Sequence, residues 1–279
     1  MAHPRRDLFP LDTRHGPAPL LLRMAVPPLV QFRDVTKRFG DGPLVLDRIS
    51  FGATTGEFVS LIGPSGCGKS TLLRLIAGLT PVSSGTLSVA GGSPEAAAAE
   101  LAFVFQEPTL LPWLNVAKNV ELPLKLRGVA APERAAIRDR VLQLVRLSEK
   151  AAAYPRQLSG GQKMRVSIAR ALALSPKILL LDEPFGALDE MTREHLNEEL
   201  LDIRAQQAWT AFFVTHSVAE AVFLSNRVLV MVANPGRIHR EIAIPLPWPR
   251  TAETRLARDY LDLVAQVSRE LRSVEISAA

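Results

Sequence analysis

One cysteine is all this 279-residue chain carries, and Cys67 alone excludes an internal disulfide and a multi-cysteine zinc site. No run of about 18 or more apolar residues exists in the sequence, so no membrane-spanning helix is expected. The run Pro19–Leu22 follows arginines but is too short and too rich in proline for a signal peptide. Beyond the start, basic and acidic residues nearly balance. Of the net +5, residues 1–40 hold +4, from Arg5, Arg6, Arg14, Arg23, Arg33, Lys37 and Arg38 against Asp7, Asp12 and Asp34. No long basic stripe remains to track a nucleic acid, and the arm reads as a solvated tail, with a membrane-surface role as its rival. There is no internal repeat, and no Asn-Lys-x-Asp guanine motif.

What is present is ample apolar content, 47%, enough for one large α/β domain with a small subdomain. Residues 1–28 are rich in Pro and Arg without periodicity and read as a disordered extension, with Met24 as an alternative start. Strand-like runs are expected at Val30–Phe32, Val45–Ile49, Phe58–Ile62, Thr86–Val89, Leu101–Phe105, Ile178–Leu181, Ala211–Val214 and Val228–Val232. Helices alternate with the later ones, as in a largely parallel sheet covered on both faces. Between Glu107 and Pro155 the pattern turns helical, and Ile137, Val141, Leu144 and Val145 fall on one face. After residue 245, Leu256, Tyr260, Leu263, Val264, Val267 and Leu271 space out an amphipathic tail helix. Packing back on the domain is its plainer reading, a partner surface the other.

The strand Phe58–Ile62 runs into Gly63-Pro64-Ser65-Gly66-Cys67-Gly68-Lys69-Ser70-Thr71, and Thr71–Ala77 reads as the helix that follows. This is the setting a phosphate loop needs. Glycines let backbone N–H groups curl around phosphate oxygens, Lys69 adds a point charge, and the Ser70 hydroxyl suits Mg²⁺. Cys67 there reads as a small residue without a redox role, although its place in the loop leaves it open to thiol reagents. Asp182 and Glu183 end the run Ile178–Leu181, at the carboxyl edge of the sheet where phosphates and Mg²⁺ gather. Glu183 suits the general base for water and Asp182 the metal. His216 after Ala211–Val214 and Gln106 after Leu101–Phe105 reach the same edge; Gln106 suits a metal-bound water, and by itself is an ordinary polar strand end. Phe39 offers a face for adenine, with a core phenylalanine as the alternative.

Leu158-Ser159-Gly160-Gly161-Gln162 lies beyond this set, Ser159 standing 90 positions after Lys69 and 23 before Asp182. It opens a helical stretch, Gln162–Leu174, and so forms a second anion-receptive helix N-terminus. Two phosphate cradles in one chain make sense if each ATP is gripped by both, one from each of two subunits.

In this order the segments resemble the ATP-binding cassette (ABC) ATPases over about residues 30–245. The resemblance implies a P-loop NTPase, RecA-like core with a mostly parallel sheet, a small antiparallel β region and a helical insertion at about 107–175, within a 29–245 domain followed by a 246–279 tail. It also implies that Ser159, Gly160, Gly161 and Gln162 meet the nucleotide of the opposite subunit and that Asp189 lies at the dimer seam. Phe39 is similar to the adenine-stacking aromatic, Gln106 to the Q-loop glutamine and His216 to the switch histidine. Phe105–Trp113 (FQEPTLLPW), Pro184–Asp189 (PFGALD), Val214–Ala221 (VTHSVAEA) and Ala233–Ile238 (ANPGRI) resemble the bacterial nitrate/sulfonate/taurine importer group. That implies ATP and Mg²⁺, a second copy of the subunit, membrane permease subunits, an indirect solute-binding protein, no nucleic acid, and a peripheral place on the cytoplasmic side of the inner membrane. An exporter or lipoprotein-release ATPase is the alternative, and a non-transport ABC ATPase acting on DNA or ribosomes is a further one, opposed by the single cassette and the 90-residue gap. The tail is too short for a separate regulatory β-domain.

Overall fold

The computed structural model describes residues 27–276 except residue 208. The expected disorder of the N-terminal extension therefore falls almost wholly outside the described residues. Nine strands are described, β1 (Val30–Arg38), β2 (Leu44–Ala53), β3 (Phe58–Ile62), β4 (Ser84–Val89), β5 (Leu101–Val104), β6 (Ile178–Asp182), β7 (Thr210–Val214), β8 (Arg227–Val232) and β9 (Arg237–Ala243). Seven α-helices accompany them: α1 (Lys69–Ile76), α2 (Val116–Leu126), α3 (Ala131–Leu144), α4 (Gly160–Leu172), α5 (Glu190–Gln206), α6 (Val218–Leu224) and α7 (Arg258–Ile276).

The architecture is α/β. Six strands form the main sheet in the order β5-β6-β7-β3-β8-β9, parallel except for β9, which runs antiparallel to β8. A separate antiparallel sheet has the order β2-β1-β4. The unbroken apolar runs of β3, β6 and β7 follow from burial on both faces. Along β6, Ile178 and Leu180 point into one core with α1 and the antiparallel sheet, while Leu179 and Leu181 point into the other with the remaining helices. Phe212 and Phe213 divide in the same way on β7.

Three helices, α2, α3 and α4, come between β5 and β6. Asn115 caps α2 by accepting the Lys118 N–H at 2.9 Å. Fully buried Asn119 binds the N–H and C=O of Leu111 and the C=O of Leu114, which fixes the preceding loop on α2. Ile137, Val141, Leu144 and Val145 share the apolar face expected of them.

The tail helix α7 packs against α6, β8 and β9. Tyr260, Val267 and Val274 are its buried positions, two turns apart, and Tyr260 Oη donates to Ala219 O at 3.1 Å. Leu256 departs from the expected helix face. It lies in a 3-10 turn before α7 and is 81% exposed.

Candidate nucleotide site

The site forms where β3, β6 and β7, adjacent in the sheet, deliver their carboxyl ends. Gly63 leaves β3 with φ 157, where an added Cβ would lie 2.6 Å from Met231 O. Gly68 precedes α1 with φ 95, and a Cβ there would meet Leu46 at 2.5 Å. No L side chain fits either place, so the loop can hug the sheet edge and present its N–H groups outward.

Lys69 is 5% exposed, and its ammonium donates to Gly63 O at 2.9 Å and Pro64 O at 3.0 Å. Ser70 Oγ donates to Asp182 Oδ1 at 2.9 Å. Burial pushes the Asp182 carboxyl up, the Ser70 bond opposes that shift, and neighbouring Glu183 adds to it. Glu183 adopts φ 48, in the left-handed region, and its N–H is fixed to Val214 O at 3.0 Å. That turn sends the carboxylate sideways to His216, whose Nε2 lies 2.7 Å from Glu183 Oε1.

A hollow of about 260 Å³ opens at the loop, lined by Ser65, Gly66, Gly68, Lys69, Ser70, Thr71, Val45, Glu183 and His216. A neighbouring hollow of about 390 Å³ shares Glu183 and His216 and adds Gln106, Gly186, Arg193, Thr215, Ser217 and Glu220. Gln106 stands two residues past β5, which ends at Val104 rather than at the expected Phe105. A larger hollow, about 750 Å³, lies at the opposite end of β6 and β7 near Ser175, Pro176 and Trp209, and holds none of the expected site residues.

Phe39 is half exposed, with the Lys37 ammonium 4.6 Å from its ring centre, and it lines neither hollow at the site. Cys67 departs from the expected openness to thiol reagents. It is fully buried, and burial pushes its thiol pKa up against the pull of Lys69. Thiol reactivity needs an accessible thiolate, and this cysteine offers neither access nor charge.

Ser159, Gly160, Gly161 and Gln162 are not brought to the phosphate loop; they line neither hollow. Ser159 caps α4 reciprocally, its Oγ accepting the Gln162 N–H at 3.2 Å while Gln162 Oε1 accepts the Ser159 N–H at 3.0 Å. The two glycines pack on the start of α5: added Cβ atoms would meet Leu188 at 3.3 Å and Thr192 at 3.0 Å. Asp189 caps α5 through Thr192 N–H at 3.0 Å, a bond that holds its carboxyl below the usual range. Ser159, Gly160 and Asp189 are all exposed, so the tip of α4 and the tip of α5 form one outward surface.

Sequence reasoning missed Arg193, Thr215 and Glu220, which wall the second hollow. Thr215 and Glu220 lie within the Val214–Ala221 segment that carries the resemblance, and Arg193 four positions after Asp189, so their place in the sequence was the available signal. Chemically, the arrangement can hold a polyphosphate on backbone N–H groups and Lys69, offer Ser70 and Asp182 oxygens to a hard cation, and activate water with Glu183.

Residues 46–186 match the ABC transporter family. The chain is 46% identical to the taurine import ATP-binding protein of Rhizobium johnstonii over 239 residues, 85% of this chain and 91% of that one. It is also 46% identical to the aliphatic sulfonates import ATP-binding protein of Bacillus subtilis over 210 residues, 75% and 81% of the two chains. A solved dimeric ATP-binding cassette in a post-hydrolysis state, bound to ADP and Pi, superposes with a TM-score of 0.69 at 32% identity, covering 78% of this chain and all of the other. With the phosphate loop, the paired acids and the exposed Ser159 helix tip in place, this chain belongs to the ABC transporter family as an ATP-binding, ATP-hydrolysing member.

Proposed function

We propose that the chain is the ATPase subunit of a bacterial importer for a small anionic or zwitterionic solute of the nitrate, sulfonate or taurine class. The observation that carries the catalytic half is the Glu183–His216 contact at 2.7 Å beside the Ser70–Asp182 contact at 2.9 Å, both at the mouth of the phosphate loop. In this reading Gly63 to Gly68 and Thr71 wrap the phosphates with their backbone, with Pro64, Ser65 and Cys67 between the glycines shaping the turn. Lys69 binds the terminal phosphates, and Phe39 stacks on adenine at the exposed rim.

Among the described residues no group of three or more His, Cys, Asp or Glu could hold a metal by itself. A Ser–Asp pair suits Mg²⁺, which keeps waters and takes phosphate oxygens for its remaining places. Ser70, Asp182 and, through water, Gln106 would hold it, and it would neutralise charge on the phosphates. Glu183 accepts a proton from the attacking water, and His216 holds that carboxylate and faces the terminal phosphate.

The exposed tips of α4 and α5 supply the other half. Ser159, Gly160, Gly161 and Gln162 would close on the nucleotide of a second copy, with Asp189 at the seam. The domain limits proposed are 29–245 for the ATPase, with the helical insertion at about 107–175 and the tail at 246–279. Among the described residues no helix is long and apolar enough to cross a membrane. Transport therefore needs separate permease subunits, served by a solute-binding protein, with this subunit on the cytoplasmic side of the inner membrane.

Glu183→Gln tests the reading. It keeps the side-chain shape but removes the base, a step that general-base catalysis speeds by about 10²–10⁴-fold. MgATP binding should persist while hydrolysis falls by that order and a closed dimer accumulates in size-exclusion chromatography. Turnover near the wild-type rate would remove Glu183 from the chemistry.

A further inference from the structure

Glu220 is 4% exposed and sits in the first turn of α6, yet its bonds run to both neighbours of His216. Its Oε2 accepts the Thr215 hydroxyl, and Thr215 Oγ1 in turn accepts the Ser217 N–H at 3.0 Å. Ser217 Oγ accepts the Glu220 N–H at 3.3 Å. The turn that presents His216 to Glu183 is thus closed on Glu220 from both sides.

The other carboxylate oxygen, Oε1, is buried with no hydrogen bond, and so is Arg193 Nε, which faces it at 3.9 Å. Arg193 Nη2 donates to Leu188 O at 2.9 Å, immediately before Asp189. Two opposite charges therefore lie about 1 Å beyond hydrogen-bond length, one fixed to the His216 turn and one to the Asp189 turn. Buried polar atoms are seldom left this way, because an unmade bond there is costly.

We propose that Glu220 and Arg193 are a positioning pair that couples the Asp189 turn to the His216 turn within one subunit. The inference rests on the proposed reading of Asp189 at the dimer seam and His216 beside the attacking water. A second copy seated on the exposed Asp189 turn moves Leu188 and Arg193 toward Glu220. The completed bond then holds Thr215, His216 and Ser217 in their places against Glu183. Neither residue reacts; both act through His216.

The test uses the full chain with MgATP, comparing Glu220→Gln, Arg193→Gln and the double variant. Each single variant should lose at least about tenfold in kcat, the effect of one charge-assisted hydrogen bond, with KM and monomer nucleotide affinity unchanged. The double variant should lose no more than either single one, since both remove the same contact. Arg193→Lys is the second probe if Glu220→Gln folds poorly. An ammonium reaches Leu188 O or Glu220 but not both, so it should lose kcat to the same extent at wild-type thermal stability. A merely structural pair would lower Tm and leave kcat per folded molecule intact, and that result overturns the proposal. So do losses that multiply in the double variant. If the wild-type chain itself fails to hydrolyse MgATP, the ATPase reading falls first; if it hydrolyses and Glu220→Gln keeps its kcat, only the coupling falls.

Discussion

Arg250→Ala should unfold the tail from the domain. Arg250 is 4% exposed, and its guanidinium donates to five backbone carbonyls. Nη1 reaches Val222 O, Phe223 O and Ser225 O at 3.0, 2.9 and 2.9 Å. Nη2 reaches Ile244 O and Leu246 O at 3.4 and 3.2 Å. The first group belongs to the C-terminal end of α6, whose last carbonyls have no partner within the helix. The second belongs to the chain leaving β9. The Trp248 ring lies 3.8 Å from the guanidinium carbon and closes the arrangement. One side chain therefore ties the helix that follows His216 to the segment that leads into α7.

Truncation strands these carbonyls at about 1–3 kcal/mol for each one that water cannot reach. Against that stands the relief of a buried charge: burial and nearby Arg204 push the guanidinium pKa down to about 10, which is on the order of 3 kcal/mol. The balance is a net loss of roughly 2–5 kcal/mol, the range seen when one partner of a buried charged network is removed. For a chain of this size, each kcal/mol moves Tm by about 2–4 °C, so the transition should fall by about 4–20 °C. Differential scanning calorimetry reads the shift, and limited proteolysis should find new cleavage around residues 246–257. Arg250→Lys should recover only part, because one ammonium cannot span both carbonyl groups. A Tm within about 2 °C of wild type for Arg250→Ala would refute the clamp.

Two further expectations concern the opposite ends of the site. Ser159→Arg places a long cation on the exposed tip of α4 and should abolish dimer closure and hydrolysis, while monomer ATP affinity measured by calorimetry stays within about threefold; a large loss of monomer affinity would contradict a role toward the partner's nucleotide. Cys67 should react with a thiol reagent far more slowly in the native chain than in denaturant, with or without MgATP. Its native pKa lies above the ordinary thiol value of 9.0, so the native state keeps the proton longer and stability should fall as pH rises past about 9. Fast labelling of the native chain, or stability that grows in that window, would count against the burial.

The strands that position the site were legible because burial on both faces leaves them almost wholly apolar. Phe58–Ile62 and Ile178–Leu181 have no polar interruption apart from Ser60, which is satisfied by Ser225. Strand β9 was not read, because Arg237, His239, Arg240 and Glu241 on an exposed edge carry no apolar signal. Leu256 misled for the opposite reason: its spacing fits α7, but the helix begins after it. The phosphate loop, Asp182, Glu183 and His216 were legible because each stands at a strand end, so sequence order maps onto one sheet edge. Arg193 and Glu220 were not, since their meeting depends on how α5 and α6 pack, and a separation of 27 positions leaves no local pattern.

Glu183 holds a left-handed backbone that costs an L residue about 1–2 kcal/mol, and glycine alone would adopt it freely. Local folding preference therefore argues against glutamate at this position, and the bond to Val214 O keeps it there. A chain shaped by stability alone would carry glycine at 183. In the proposed reading the carboxylate is kept against that gradient because turnover needs it, at a place where the surrounding fold would accept glycine.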